Sequence, residues 1–146
     1  MEVSGTRRLI AQPGALHRAL DSATVLKSCL QICDSFTGSI ADGYDFAVSH
    51  KIGPLSVTFR GHASFARAAE GQGYVMDFTG SSRMTGQVSG RLTLAISPRP
   101  RQTLMDYQAT LEPSAVVKLL GADRVQRAFA SGINGFADRL KGAVER

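Results

Sequence analysis

Nowhere in its 146 residues does the chain carry an apolar run near the ~18–20 residues that a membrane-spanning helix needs, so no such span is expected. The stretch from Met1 to Ile10 places Glu2, Arg7 and Arg8 among its apolar positions, which is not the charged-then-apolar order of a secretory signal. Cysteine is scarce. Cys29 and Cys33 cannot staple a scaffold, and a chain of this length buries enough core not to need one. Repeats, low-complexity stretches and linkers are absent, so one domain over residues 1–146 is expected. At 43% hydrophobic and 20% charged, the composition is neither disordered nor fibrous. The expectation is a reduced, cytoplasmic protein, with peripheral contact to the inner face of the membrane left open.

The charge is basic: 17 Lys and Arg against 12 Asp and Glu, net +5, with an isoelectric point near 9.7. The arginines are dispersed, with no polybasic run and no aromatic-basic stripe, so nucleic acid is not an expected partner. The densest cluster, Pro98-Arg99-Pro100-Arg101, reads as a short loop between strands. Its uses would be solubility or contact with something acidic.

Hydrophobic periodicity divides the chain. Glu2 to Ile10 reads as a strand, and Pro13-Gly14 opens a short helix carrying Leu16 and Leu20. A second short helix over about 22–30 groups Val25, Leu26, Cys29 and Leu30 on one side. From Gly43 the period becomes 2. Tyr44, Phe46 and Val48 alternate with polar residues, as do Leu55, Val57 and Phe59 beyond the Gly53-Pro54 turn. Further strands are expected over 63–69, at Tyr74, Met76 and Phe78, along the single parity of Met84, Gly86, Val88, Gly90, Leu92, Leu94 and Ile96, and over 103–111. The chain closes with a helix whose apolar stripe is Val125, Phe129, Ile133, Phe136, Leu140 and Val144. Beside that stripe runs a small-residue flank of Gly121, Ala128, Gly132, Gly135 and Gly142. Each helical glycine costs about 1 kcal/mol relative to alanine. The flank therefore implies close backbone packing, room for a ligand, or both.

The strands present one dry face and the helix one apolar stripe, and a twisted sheet curling around the helix buries both. The expected class is α+β, a helix-grip architecture: a curved antiparallel sheet around a long C-terminal helix, with two short helices after the first strand. A curved sheet and a straight cylinder do not fit flush, which leaves a cavity between them.

Catalytic groups are not organised. The carboxylates are scattered, no Ser-His-Asp order or nucleophile elbow occurs, and His17, His50 and His62 stand apart. Cys29 and Cys33 lack the second ligand pair that a structural zinc would need, so no metal is expected. The reading is a protein that is not an enzyme and needs no cofactor.

The segment Lys51-Ile52-Gly53-Pro54-Leu55-Ser56-Val57-Thr58-Phe59-Arg60-Gly61 resembles the K-I-G-P-hydrophobic-x-x-x-F-x-G motif of the CoxG family, the G subunits of carbon monoxide dehydrogenase, within the START-like (SRPBCC) helix-grip superfamily. Residues 25–34 are similar to that family's L-x-x-C-I-P-G-C-E, and Gly5 through Pro13 to its G-x-x-x-I-x-A-P opening. The strand from Thr103 to Tyr107 resembles the family's T-x-L-x-Y. The chain departs from the pattern at Gln31-Ile32 (Pro-Gly in the family), at His17 (tryptophan), at Ser22-Ala23 (Asp-Pro) and at Glu112-Pro113-Ser114-Ala115 (a glycine-rich stretch). The resemblance implies an accessory protein. It would bind a hydrophobic molecule such as a quinone or lipid and hold a molybdenum hydroxylase of the carbon monoxide dehydrogenase type near the membrane.

The expected ligand-binding residues are Phe46, Val48, Phe59, Phe65, Tyr74, Met76, Phe78, Val88, Leu92 and Tyr107 from the sheet, and Phe129, Ile133 and Phe136 from the helix. Tyr74 and Tyr107 would be the polar handles, and Met76 and Met84 the adaptable ones. Two alternatives stand beside this reading: an interaction subunit with a filled core, and a superfamily member that transforms a small molecule. A cavity of roughly 300 Å³ or more favours a carrier, whereas a close-packed interior favours the interaction subunit.

Overall fold

In the computed structural model, which describes residues 1–30, 33–52, 54–68, 73–84, 86–112, 117–118 and 120–146, the elements run in the order β1 (Glu2–Leu9), α1 (Pro13–Leu20), α2 (Ala23–Cys29), β2 (Cys33–Ser39), β3 (Gly43–Ile52), β4 (Leu55–Arg67), β5 (Gly73–Ser82), β6 (Gly86–Arg99), β7 (Gln102–Glu112) and α3 (Ala122–Glu145). Gln31, Ile32, Gly53, residues 69–72, Thr85, residues 113–116 and residue 119 lie outside the described residues, as do the side chains of His50, Ile52 and Leu55. All seven strands form one antiparallel sheet in the order β1-β7-β6-β5-β4-β3-β2. Every neighbouring pair in β2 to β7 is a sequential hairpin, and only β1 joins from across the chain, against β7. The sheet is curved and unclosed, and α3 lies in its concavity.

Local chemistry sets the helix ends. Pro13 occupies the first turn of α1, where its missing N–H is no loss. The Ser22 hydroxyl accepts the backbone N–H of Val25 at 3.3 Å and caps α2. Leu16 and Leu20 of α1 and Leu26 and Cys29 of α2 are buried against the sheet and α3.

Three features differ from the sequence expectation. The strand at 33–39 has no alternation to announce it, because only Phe36 is buried along it and its register shifts between Cys33 and Ser35. Conversely, the stretches ending at Arg60 and beginning at Ala63 are one strand of 13 residues. Gly61 looks like a break but is a point of close approach: a Cβ there would overlap the carbonyl oxygen of Thr79 on β5. Met84 lies in the β5–β6 turn, 53% exposed, and not on the dry face.

Apolar residues gather in two clusters of unequal size. The larger joins Leu9, Leu16, Leu20, Leu26, Tyr44, Phe65, Tyr74, Leu94, Met105, Tyr107 and the C-terminal half of α3, with Phe136, Leu140 and Val144. The smaller centres on Val57, Leu120 and Val125. Polar ties fasten α3 to β1 and α2. Arg7 pairs with Asp138 at 2.6 Å, the Lys141 ammonium donates to the Arg8 carbonyl at 2.6 Å, and Arg139 donates to the Cys29 carbonyl at 2.8 Å.

Candidate functional site

Between the two clusters the helix and sheet separate. Along α3, Val125 is buried, Phe129 and Ile133 are half-exposed, and Phe136, Leu140 and Val144 are buried again. The stripe is continuous in sequence, yet its middle faces open space. That space is a cavity of about 230 Å³. Its wall takes Leu30 from the end of α2, Cys33 and Phe36 from β2, Phe46 and Val48 from β3, and Phe59 and Ala63 from β4. Met76, Phe78 and Gly80 of β5, Val88 and Leu92 of β6, and Leu111 of β7 continue it, and Val125, Ala128, Phe129, Gly132, Ile133 and Phe136 form its roof. Phe46, Val48, Phe59, Met76, Phe78, Val88, Phe129 and Ile133 are each half-exposed, so the cavity communicates with solvent.

The small-residue flank of α3 divides in use. Ala128 and Gly132 line the cavity. A Cβ on Gly135 would meet the Arg139 guanidinium, Gly121 caps the helix with a φ of 90°, and a Cβ on Gly142 would meet nothing within 4 Å. Gly132, unlike Gly121, Gly135 and Gly142, stands on the cavity wall.

Of the residues expected to meet a ligand, Phe46, Val48, Phe59, Met76, Phe78, Val88, Leu92, Phe129, Ile133 and Phe136 stand on this wall. Phe65, Tyr74 and Tyr107 do not; they belong to the larger core. The two tyrosines are not free handles, because the fold already satisfies them. Tyr107 donates to Asn134 Oδ1 of α3 at 2.6 Å, beneath the Arg7 guanidinium 5.3 Å from its ring. The Tyr74 hydroxyl lies 2.8 Å from His17 Nδ1 and donates to Asp21 Oδ1 at 3.2 Å, while Arg67 pairs with the same carboxylate at 2.7 Å. Burial, reinforced by Asp21, pushes the Tyr74 phenol up to about 12. The expected ligand set lacked Leu30, Cys33, Phe36, Ala63, Gly80 and Leu111, and also Val125, Ala128 and Gly132, which the sequence marked only as part of the helix stripe and its small-residue flank. For Cys33 and Phe36 the sequence carried no usable signal, since β2 has one buried anchor and a register shift between Cys33 and Ser35.

Among the described wall residues every side chain is apolar apart from the Cys33 thiol. Burial, assisted by the neighbouring Asp34 charge, pushes that thiol up to about 11, which keeps it protonated and weakly nucleophilic near neutral pH. The cavity can therefore exclude water from an apolar surface, and among the described residues its wall offers no acid–base pair. Among the described residues no group of three or more His, Cys, Asp and Glu side chains is placed to hold a metal ion. A broader hollow of about 450 Å³ lies against the polar side of the sheet, with His62, Asp77, Arg91 and Glu112 on its rim. There Asp77 is paired with Arg91 at 2.6 Å. His62 pairs with Asp45 at 3.0 Å.

A curved, unclosed seven-stranded antiparallel sheet holding a long C-terminal helix, with two short helices after the first strand, defines the Bet v1-like helix-grip class. Solved structures share the fold. A conserved protein from Geobacillus kaustophilus is 15% identical with a TM-score of 0.84, the match covering 99% of this chain and 95% of that one. Protein MLL2253 from Mesorhizobium loti is 15% identical with a TM-score of 0.70, covering 100% and 98%. Ara h 8.0201 is 12% identical with a TM-score of 0.67, covering 99% and 97%. No curated protein matches the chain. Residues 5–145 match the family model of the carbon monoxide dehydrogenase G subunit (CoxG), and the chain belongs to that family. No helix among the described residues is long and apolar enough to cross a membrane.

Proposed function

We propose that this protein binds a hydrophobic small molecule, a quinone or lipid, in the cavity under α3, without chemistry of its own. On this reading it serves as an accessory subunit that recruits a carbon monoxide dehydrogenase-type molybdenum hydroxylase to the membrane. One observation carries the binding role: large apolar side chains from β3 to β7 and α3 face one another, half-exposed, across a gap that no polar side chain among the described residues bridges. An engineered cavity of about 150 Å³ already takes up benzene. The space here, about 230 Å³, accommodates a ring or the end of a chain, with the remainder of a longer ligand leaving through the open side. The accessory role is supported by membership of the CoxG family.

The volume falls short of the roughly 300 Å³ from which drug-sized pockets begin. That shortfall favours, as a second reading, an interaction subunit whose interior holds nothing. Native mass spectrometry of gently purified protein, followed by organic extraction, separates the two. A co-purifying quinone or lipid that is lost when Phe129 and Phe136 are made bulkier or polar supports binding. A clean apo mass, with no uptake of quinones or lipids added in excess, supports the second reading.

A further inference from the structure

We propose that one corner of the sheet's outer face docks a second protein through an acidic segment of that partner. Leu9, Thr103 and Ile96 are buried on the inner face, so their neighbours Arg8, Leu104 and Ser97, in register across β1, β7 and β6, point outward. Ile10 follows directly on β1, its backbone N–H donating to Glu145 Oε2 at 2.8 Å, and Arg99 pairs with Gln102 where β6 and β7 meet. Ile10 is 66% exposed, Leu104 is half-exposed, and Arg8, Arg99 and Arg101 are all exposed. Among the described residues none of these three guanidiniums is paired with a carboxylate, although five other basic side chains on the molecule are.

The backbone adds an independent observation. Pro100 and Arg101 form the two-residue turn between β6 and β7, and Arg101 sits at φ 59°, the only non-glycine residue at positive φ among those described. That region favours glycine or asparagine. Strain is thus kept at a position whose side chain the fold does not use, which is the pattern of a residue retained for contact.

The chemistry of the corner selects a protein. It has two apolar side chains among three separated arginines, one in β1, one at the end of β6 and one on the turn, the make-up of an interface centre with a charged rim. Planar guanidinium groups suit carboxylates bidentately. Lipid surfaces and phosphate backbones reward polybasic runs instead, and none is present here. Val88, Leu92 and Leu111 mark the cavity toward the opposite end of β6 and β7, so docking here leaves it open.

The test places photoreactive benzoylphenylalanine at position 10, 104 or, as a control, 58 of the full chain, expressed and irradiated in the organism that encodes it. The expected result is a discrete protein adduct from 10 and 104 but not 58. Its cross-linked peptide should be rich in Asp and Glu, and its yield should fall at least tenfold in the R8E/R99E variant. Arg101→Gly should weaken the adduct while raising the unfolding midpoint by about 2–4 °C for each kcal/mol of strain released. The proposal is overturned by no adduct at either position, by adducts to lipid or nucleic acid, by a cross-linked peptide without carboxylates, by an adduct indifferent to charge reversal, or by an Arg101→Gly variant less stable than the parent. None of these substitutions touches the cavity, so its ligand content is an independent readout.

Discussion

Replacing Gly132 with leucine distinguishes a helix face packed against backbone from one standing over open space. Gly132 lies mid-helix on the cavity roof and is half-exposed. Alanine in a helix interior is better than glycine by about 0.8–1 kcal/mol, and leucine by slightly less. Full burial of its side chain contributes about 1.5–3 kcal/mol, so half-burial adds roughly 1 kcal/mol. The sum, about 2 kcal/mol, corresponds to a rise of about 4–8 °C in the unfolding midpoint for a domain of this size. The same substitution should block binding. Benzene needs about 150 Å³, and four leucine carbons take about two-thirds of that. Little more than half of the 230 Å³ would remain. Thermal unfolding followed by circular dichroism, paired with calorimetric titration of a short-chain quinone, reads both effects. A lower midpoint with unchanged uptake would refute the reasoning, because it would show that position 132 is filled and that the ligand lies elsewhere.

Four further outcomes follow from the same geometry. Gly5→Ala should lose about 1–3 kcal/mol in urea unfolding, since its Cβ would come within 2.6 Å of Tyr107 Cζ, on a ring held by the bond to Asn134. Gly142→Ala should gain about 0.5–1 kcal/mol, because its Cβ meets nothing. Alkylation of Cys33 by iodoacetamide should be slow at pH 7, quicken as the pH climbs from about 9 toward about 11, and slow again when the cavity is occupied. The Tyr74 phenol is raised above its ordinary value of about 10 to about 12, so its contribution to stability is complete below pH 10 and lost as the pH approaches 12. Tyr74→Phe should flatten alkaline unfolding over that window; an unchanged pH profile would contradict the assignment.

Alternation and helical period are dictated by burial, so elements with one dry face could be read from sequence: β3, β6, β7 and α3 all fall where the pattern puts them. The errors share a physical cause. β2 is an edge strand with a single buried anchor, Phe36, and a shifted register, so it has no repeated pattern to read. Gly61 marks tight strand-to-strand approach, which composition alone does not separate from a turn. The cavity wall was largely legible because inward parity selects it. Parity could not separate Phe65, Tyr74 and Tyr107 from the others, since residues on one face still divide between a filled and an unfilled part of the interior. That division depends on where α3 lifts away from the sheet, a matter of tertiary geometry. Likewise, the hydroxyl partners Asn134, His17 and Asp21 lie far from the tyrosines in sequence.

The separation of the two apolar clusters also predicts how the molecule breathes. Amides of β1, β7 and the C-terminal half of α3 sit over a filled core and should exchange with solvent only on global unfolding. Those of β2, β3 and the N-terminal half of α3 border unfilled space and should exchange through smaller, local openings. A molecule that seats itself under α3 would slow exchange in the second group and leave the first almost untouched, so cargo would register as a change in the distribution of protection across the fold rather than as a change of shape.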